Sequence, residues 1–129
     1  MKHKFITIGE IMLRLTPPDY EKIRTATTFE ARYGGSEANV ALSLANLGID
    51  ASFFTVVPDN SLGKSAVRMM RSNDVNCDSI VYLQKKRLLL IVWELISGNR
   101  IWNSPSKVVY DRKHSAFSEY DFSKTDVEK

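Results

Sequence analysis

The spacing of apolar residues changes in an ordered way along the first eighty positions. Phe5, Ile6, Thr7 and Ile8 make a short, mostly apolar run stopped by Gly9, which predicts a buried strand. Ile11, Leu13 and Leu15 then alternate with Met12 and Arg14, predicting a second, half-exposed strand that Pro17-Pro18-Asp19 ends. Residues 19–27 have little periodicity and read as a loop, and Thr28 to Tyr33 predicts a strand running into Gly34-Gly35. The period then lengthens. Val40, Ala41, Leu44, Ala45 and Leu47 recur at helical spacing behind Ser36, a good cap, and Gly48 stands where a helix end favours a left-handed residue. Ala51 to Val57 predicts a buried strand. Ser61 is a candidate cap for a second helix with Leu62, Ala66, Met69 and Met70 on one face, closed by Asn73-Asp74, and Ile80 to Tyr82 predicts a further core strand.

Strand–helix–strand order implies parallel strands joined by right-handed crossovers, an α/β fold. After Tyr82 the alternation stops. Arg87 to Ile96 and Lys107 to Tyr110 predict strands with no helix between them, and the apolar run Leu88 to Trp93 reads as an edge able to seek a partner. Ser115 to Lys129 is polar, and neither a repeat nor a low-complexity linker marks a second domain.

Composition narrows the class. A chain of 129 residues that is 43% hydrophobic and 26% charged suits one modest globular domain rather than disorder. The net charge of +3 comes from interleaved signs. The densest basic run, Lys85-Lys86-Arg87, is too short for a nucleic-acid stripe and reads as a solvated turn. Cys77 is the sole cysteine, so no internal disulfide forms, no Cys/His cluster has zinc spacing, and a reducing cytoplasm is expected. The apolar runs are too short for a signal peptide or a membrane helix, so no membrane partner is expected.

Chemistry concentrates at Gly34-Gly35-Ser36-Glu37-Ala38-Asn39, between a strand and a helix. Glycines there let a ligand approach the main chain, and the free amides of a first helical turn favour oxygen-rich or anionic groups. Asn39 adds a donor and acceptors one turn in, an arrangement suited to a polyhydroxylated sugar acid. On local pattern alone, a plain turn with a polar first helical turn is the commoner explanation. Tyr110-Asp111-Arg112 ends an alternating run. Tyr110 and Arg112 would share one strand face as a possible carboxylate clamp, although ordinary strand-end charges fit the pattern as well. Gly63-Lys64-Ser65 is no phosphate loop, because Pro58 stands where the earlier glycine belongs, and no dinucleotide fingerprint follows the first strand. The neighbours His114 and Ser115 make no triad.

Three stretches together, GEIMLRLTPPD at 9–19, YGGSEANVALSLANLG at 33–48 with VPDNSLG at 57–63, and PSKVVYDRKHSAFSE at 105–119, resemble the 2-keto-3-deoxygluconate kinases of the ribokinase-like (PfkB-type) group. The resemblance implies a mostly parallel sheet flanked by helices, with a small β-lid built from residues about 10–33 and 83–112, the chain being the N-terminal part (1–129) of a longer, here truncated, kinase domain. It implies that Gly34, Gly35, Ser36, Glu37, Ala38 and Asn39 contact the sugar acid, that Tyr110 and Arg112 hold its oxygens from the lid, and that Arg14 lies near it. ATP and Mg²⁺ are the group's cofactors. The nucleotide site and the G-A-G-D motif that carries the catalytic aspartate have no counterpart in this sequence, so the isolated chain is expected to be inactive. The segment 83–104 departs from the group: Ile91 stands in place of a substrate-contacting tyrosine, and Ile101-Trp102-Asn103 is extra. The alternative is a non-catalytic remnant, either a sugar-acid binder or a homo-oligomer formed through the lid.

Overall fold

The computed structural model describes residues 3–94, 107–111 and 113–124. The predicted α/β order is present. β1 (Lys4–Ile8) pairs in parallel with β4 (Asp50–Phe54), and α1 (Ser36–Asn46) packs across both. The run expected as one strand over Ala51–Val57 is divided at Thr55 into β4 and β5 (Val56–Pro58). The chain changes neighbour there: β4 pairs with β1, whereas β5 pairs in parallel with β6 (Val81–Leu83). α2 (Ser61–Ser72) packs on β5.

A separate four-stranded sheet stands in the order β3-β2-β7-β8, from β2 (Met12–Thr16), β3 (Glu30–Gly34), β7 (Leu89–Glu94) and β8 (Lys107–Asp111). Its strands come from the two segments, about 10–33 and 83–112, that the resemblance assigns to a β-lid, hence the label lid for this sheet. β2 pairs antiparallel with β3 and parallel with β7, which pairs antiparallel with β8. The apolar run Leu88 to Trp93 is therefore not an edge. β7 lies between β2 and β8, with Leu88, Leu89 and Ile91 buried, and among the described residues the edges of the lid are β3 and β8.

The core joins lid and body. Phe53, Ile11, Ala38, Ala41, Val57, Ala66, Val67, Met70 and Leu88 form one buried cluster, against which Leu13 and Tyr33 of the lid pack. Cys77 belongs to it, and burial pushes its thiol above the ordinary range, so it is expected to resist alkylation by iodoacetamide at neutral pH until the chain unfolds.

Helix ends show which capping signals operate. Asn60, not Ser61, caps α2: its Oδ1 accepts the Gly63 amide at 3.0 Å. The buried face of α2 is Gly63, Ala66, Val67 and Met70, while Leu62 is exposed. Gly48, at φ +76°, takes the left-handed position after α1.

The first strand departs from its expected burial. Ile6 and Ile8 are 68% and 61% exposed and Phe5 is also exposed. Among the described residues β1 is paired on one edge only, and Ile6 and Ile8 point away from the face that Phe53 shares with α1. On their side, Phe54 meets Phe122, which stacks edge-on with Phe117 and Tyr120, so this face is covered only in part. Replacing Ile6 and Ile8 together with threonine should change stability by no more than about 0.5 kcal/mol per site. The same change should lower concentration-dependent light scattering. Among the described residues no helix is long and apolar enough to cross a membrane.

Candidate functional site

The diglycine turn lies where the lid meets the body. Gly34 ends β3, Gly35 precedes α1, and Ser36 is the first helical residue rather than the cap. Gly35 occupies the cap position and gives α1 no side-chain hydrogen bond. The first intrahelical bond runs from the Asn39 amide to the Gly35 carbonyl at 2.8 Å, which leaves the amides of Ser36, Glu37 and Ala38 without helical acceptors. The positive end of the helix dipole is concentrated on these amides.

The two glycines have different reasons to be there. A Cβ on Gly35 would lie 2.4 Å from the backbone oxygen of Glu10, so its bareness lets the β1–β2 connection pass. A Cβ on Gly34 would meet only Asn39 Oδ1 at 3.6 Å, an ordinary contact. Gly34 is thus the position where main chain is left open, with the Asn39 amide group beside it. Ser36, Glu37 and Asn39 are exposed and Ala38 is buried in the core, so Ala38 can offer only its backbone. The Glu37 carboxylate lies over Gly9.

Strand register places the lid candidates. Gly34 pairs with Met12, and Arg14 is two residues further along β2, roughly 7 Å away along the strand. Arg14 lies in one cross-strand row with Arg32, Ile91 and Tyr110. The structure therefore brings Arg14 and the backbone of Tyr110 into line, with Ile91 buried between them. Gly34 and Tyr110 are on opposite edge strands, three strand spacings or about 14 Å apart. Arg112 and the extra Ile101-Trp102-Asn103 lie outside the described residues.

Other polar groups tie the lid to the body, and sequence reading did not find them. The Arg87 guanidinium donates to both carboxylate oxygens of Asp111, at 2.6 and 2.7 Å, and to the Lys113 carbonyl. Ser115, 1% exposed, donates to Glu10 Oε1 at 2.6 Å. Lys86 and His114 both pair with Glu119. The Lys85-Lys86-Arg87 run is thus not simply a solvated turn: Lys86 and Arg87 hold carboxylates distant in sequence. These pairs span from 5 to 105 residues, and no spacing rule would have joined the distant ones.

The contacts from Lys86 and then His114 hold the Glu119 carboxyl below its ordinary range. A lowered folded value means that this contribution is present above the unfolded carboxylate pKa and is lost as pH falls through the folded one. Amides of residues 113–119 should accordingly exchange faster, relative to those of α2, on acidification below about pH 4. Exchange ratios unchanged between pH 7 and pH 3 would contradict this.

Two open hollows lie away from the turn. One, of about 480 Å³, is lined by Asp59, Lys64, Val67, Arg68, Arg71 and Tyr82; the other, of about 490 Å³, is at the far end of β1 and β4, near His3 and Asp50. Among the described residues no group of three or more His, Cys, Asp or Glu could hold a metal ion.

Comparison with known proteins gives this geometry a family. A 2-dehydro-3-deoxygluconokinase from Thermotoga maritima superposes with a TM-score of 0.87 and 45% identity, over 95% of this chain and 36% of that one. A PfkB family carbohydrate kinase from Listeria grayi gives 0.82 and 34%, over 92% of this chain and 35% of that one. A 2-dehydro-3-deoxygalactonokinase of Haloferax volcanii is 39% identical over 75 residues, 58% of this chain and 24% of that protein. The chain thus spans about a third or less of each relative's length. The family model described as pfkB family carbohydrate kinase matches residues 2–126, and the chain belongs to that family.

Proposed function

We propose that this chain is the N-terminal, sugar-binding part of a kinase domain for a keto-deoxy sugar acid, 2-keto-3-deoxygluconate being the substrate favoured by the 45% identity to the Thermotoga maritima protein. The observation that carries this reading is the N-terminus of α1: three amides without helical acceptors, beside an open Gly34 at the end of a strand of the four-stranded sheet. Those amides suit a carboxylate or a row of hydroxyls. Asn39 would orient one oxygen, and Arg14 would add positive charge from β2. Tyr110 and Arg112 remain assigned to the same sugar acid on the resemblance alone.

In the complete domain ATP would supply the phosphoryl group and Mg²⁺ would neutralise charge on the phosphates. Among the described residues no group of three or more His, Cys, Asp or Glu could hold the metal. The contribution of this chain is to bind and orient the hydroxyl that is phosphorylated.

Calorimetry should give saturable binding of 2-keto-3-deoxygluconate and at least tenfold weaker binding of neutral fructose, a difference of about 1.4 kcal/mol. Equal affinity for the neutral sugar would overturn the sugar-acid assignment. ATP-dependent turnover by the homogeneous 129-residue chain would overturn its restriction to binding.

A further inference from the structure

The lid is joined to the body by four chain crossings, at Gly9–Ile11, Gly34–Gly35, Lys85–Leu88 and the segment from Asp111 to Ser115. One connected set of contacts runs through all four. Gly35 sits against the Glu10 backbone oxygen, so closely that a Cβ would not fit. The Glu10 carboxylate accepts the Ser115 hydroxyl at 2.6 Å. Ser115 lies beside Arg87 in a parallel bridge, and the Ala116 amide donates to the Arg87 carbonyl at 2.9 Å. The Arg87 side chain then grips Asp111 at the end of β8 with both arms of its fork. The Ser115 hydroxyl is further fixed by the Ser118 amide, which donates to it at 3.3 Å.

We propose that the Ser115–Glu10 hydrogen bond, backed by the Arg87–Asp111 ion pair, is the latch that fixes the lid sheet over the diglycine turn, which makes Ser115 and Arg87 positioning residues for sugar-acid binding. The binding part rests on the function proposed above; the latch itself does not. The physical case is one of position. Each crossing alone is a single covalent connection, and the part-buried Ser115–Glu10 hydrogen bond, with a carboxylate as acceptor, ties two of them together and resists relative motion of sheet and body. Arg87 and Asp111 are partly exposed, and their value is directional: a bidentate pair fixes an angle that a single contact would not. Neither residue needs to touch the ligand.

Hydrogen exchange separates the latch from general stability. In Ser115→Ala, amides of β2, β7 and β8 should exchange about tenfold faster, while those of β4 and α2 keep their wild-type rates. Ser115→Thr, which retains the hydroxyl, should restore slow exchange. Arg87→Gln, at the surface, should loosen β8 and β7 without exposing the core, and it serves if Ser115→Ala fails to fold. Affinity for 2-keto-3-deoxygluconate should fall about tenfold in Ser115→Ala and recover in Ser115→Thr.

Uniformly faster exchange in lid and body, or unchanged lid exchange in both Ser115→Ala and Arg87→Gln, would overturn the latch. Faster lid exchange with unchanged sugar affinity would overturn the positioning role. If the wild-type chain takes up no sugar acid at all, the proposed function fails, and the exchange measurements still decide the latch.

Discussion

Gly35→Ala should destabilise the chain and abolish sugar-acid binding together. The new Cβ would lie 2.4 Å from the Glu10 carbonyl oxygen, and that atom belongs to the main chain, so no rotamer change relieves the contact. Either the β1–β2 connection or the start of α1 must move. Forcing a methyl group into such a contact costs about 1–3 kcal/mol. At this chain length that lowers the thermal midpoint by roughly 3–15 °C. The displaced helix start carries the three amides assigned to the sugar acid, so affinity should fall below detection. Gly34→Ala is the control, because its Cβ would meet only Asn39 Oδ1 at 3.6 Å. It should keep its midpoint within about 2 °C and still lose affinity, since it fills the space at the open main chain. A Gly35→Ala protein with wild-type melting would show that the connection can yield freely.

The largest loss of stability is expected from Phe53→Ala. Phe53, 1% exposed, heads the fully buried side chains and sits where α1, β4 and the rest of the core cluster meet. Most of the other buried members of that cluster are small, Ala38, Ala41, Val57, Ala66 and Val67 among them, and such side chains cannot extend to fill a void. Truncating a buried phenylalanine costs about 3–5 kcal/mol. Domains of this kind have about 5–15 kcal/mol in total. A chain with β1 open at one edge is expected at the lower end of that range, so the variant should be largely unfolded at 25 °C in urea concentrations that leave the wild type folded. A urea midpoint within experimental error of the wild type would mean that the cluster is not the core.

The elements of the body were legible because their signals are local. Helical spacing from Val40 onward and the left-handed glycine at position 48 each act within a few residues, and α1 ends where they place it. The lid was legible only as a loss of helix alternation. Its pairing was not, because β2 and β7 join segments some seventy-five residues apart, and nothing in Leu88 to Trp93 distinguishes an interior lid strand from an edge. Burial of β1 was misjudged for a related reason. An apolar run reports what a strand is suited to bury, and Ile6 and Ile8 have no element packed fully over them here. At the site, the diglycine turn could be read directly, but the separate tasks of the two glycines could not. Gly35 answers to Glu10, a contact between two backbone crossings that leaves no mark on local composition. The Ser115–Glu10 pair is the extreme case, with donor and acceptor 105 positions apart.

Amide chemical shifts test the account most directly. Nitrogen-15 spectra of the 129-residue chain, titrated with 2-keto-3-deoxygluconate, should show saturable changes at Ser36, Glu37 and Ala38, with smaller ones at Gly34 and Asn39. Saturable binding whose changes fall instead around Arg68 and Arg71, or around His3 and Asp50, with the start of α1 unmoved, would contradict it.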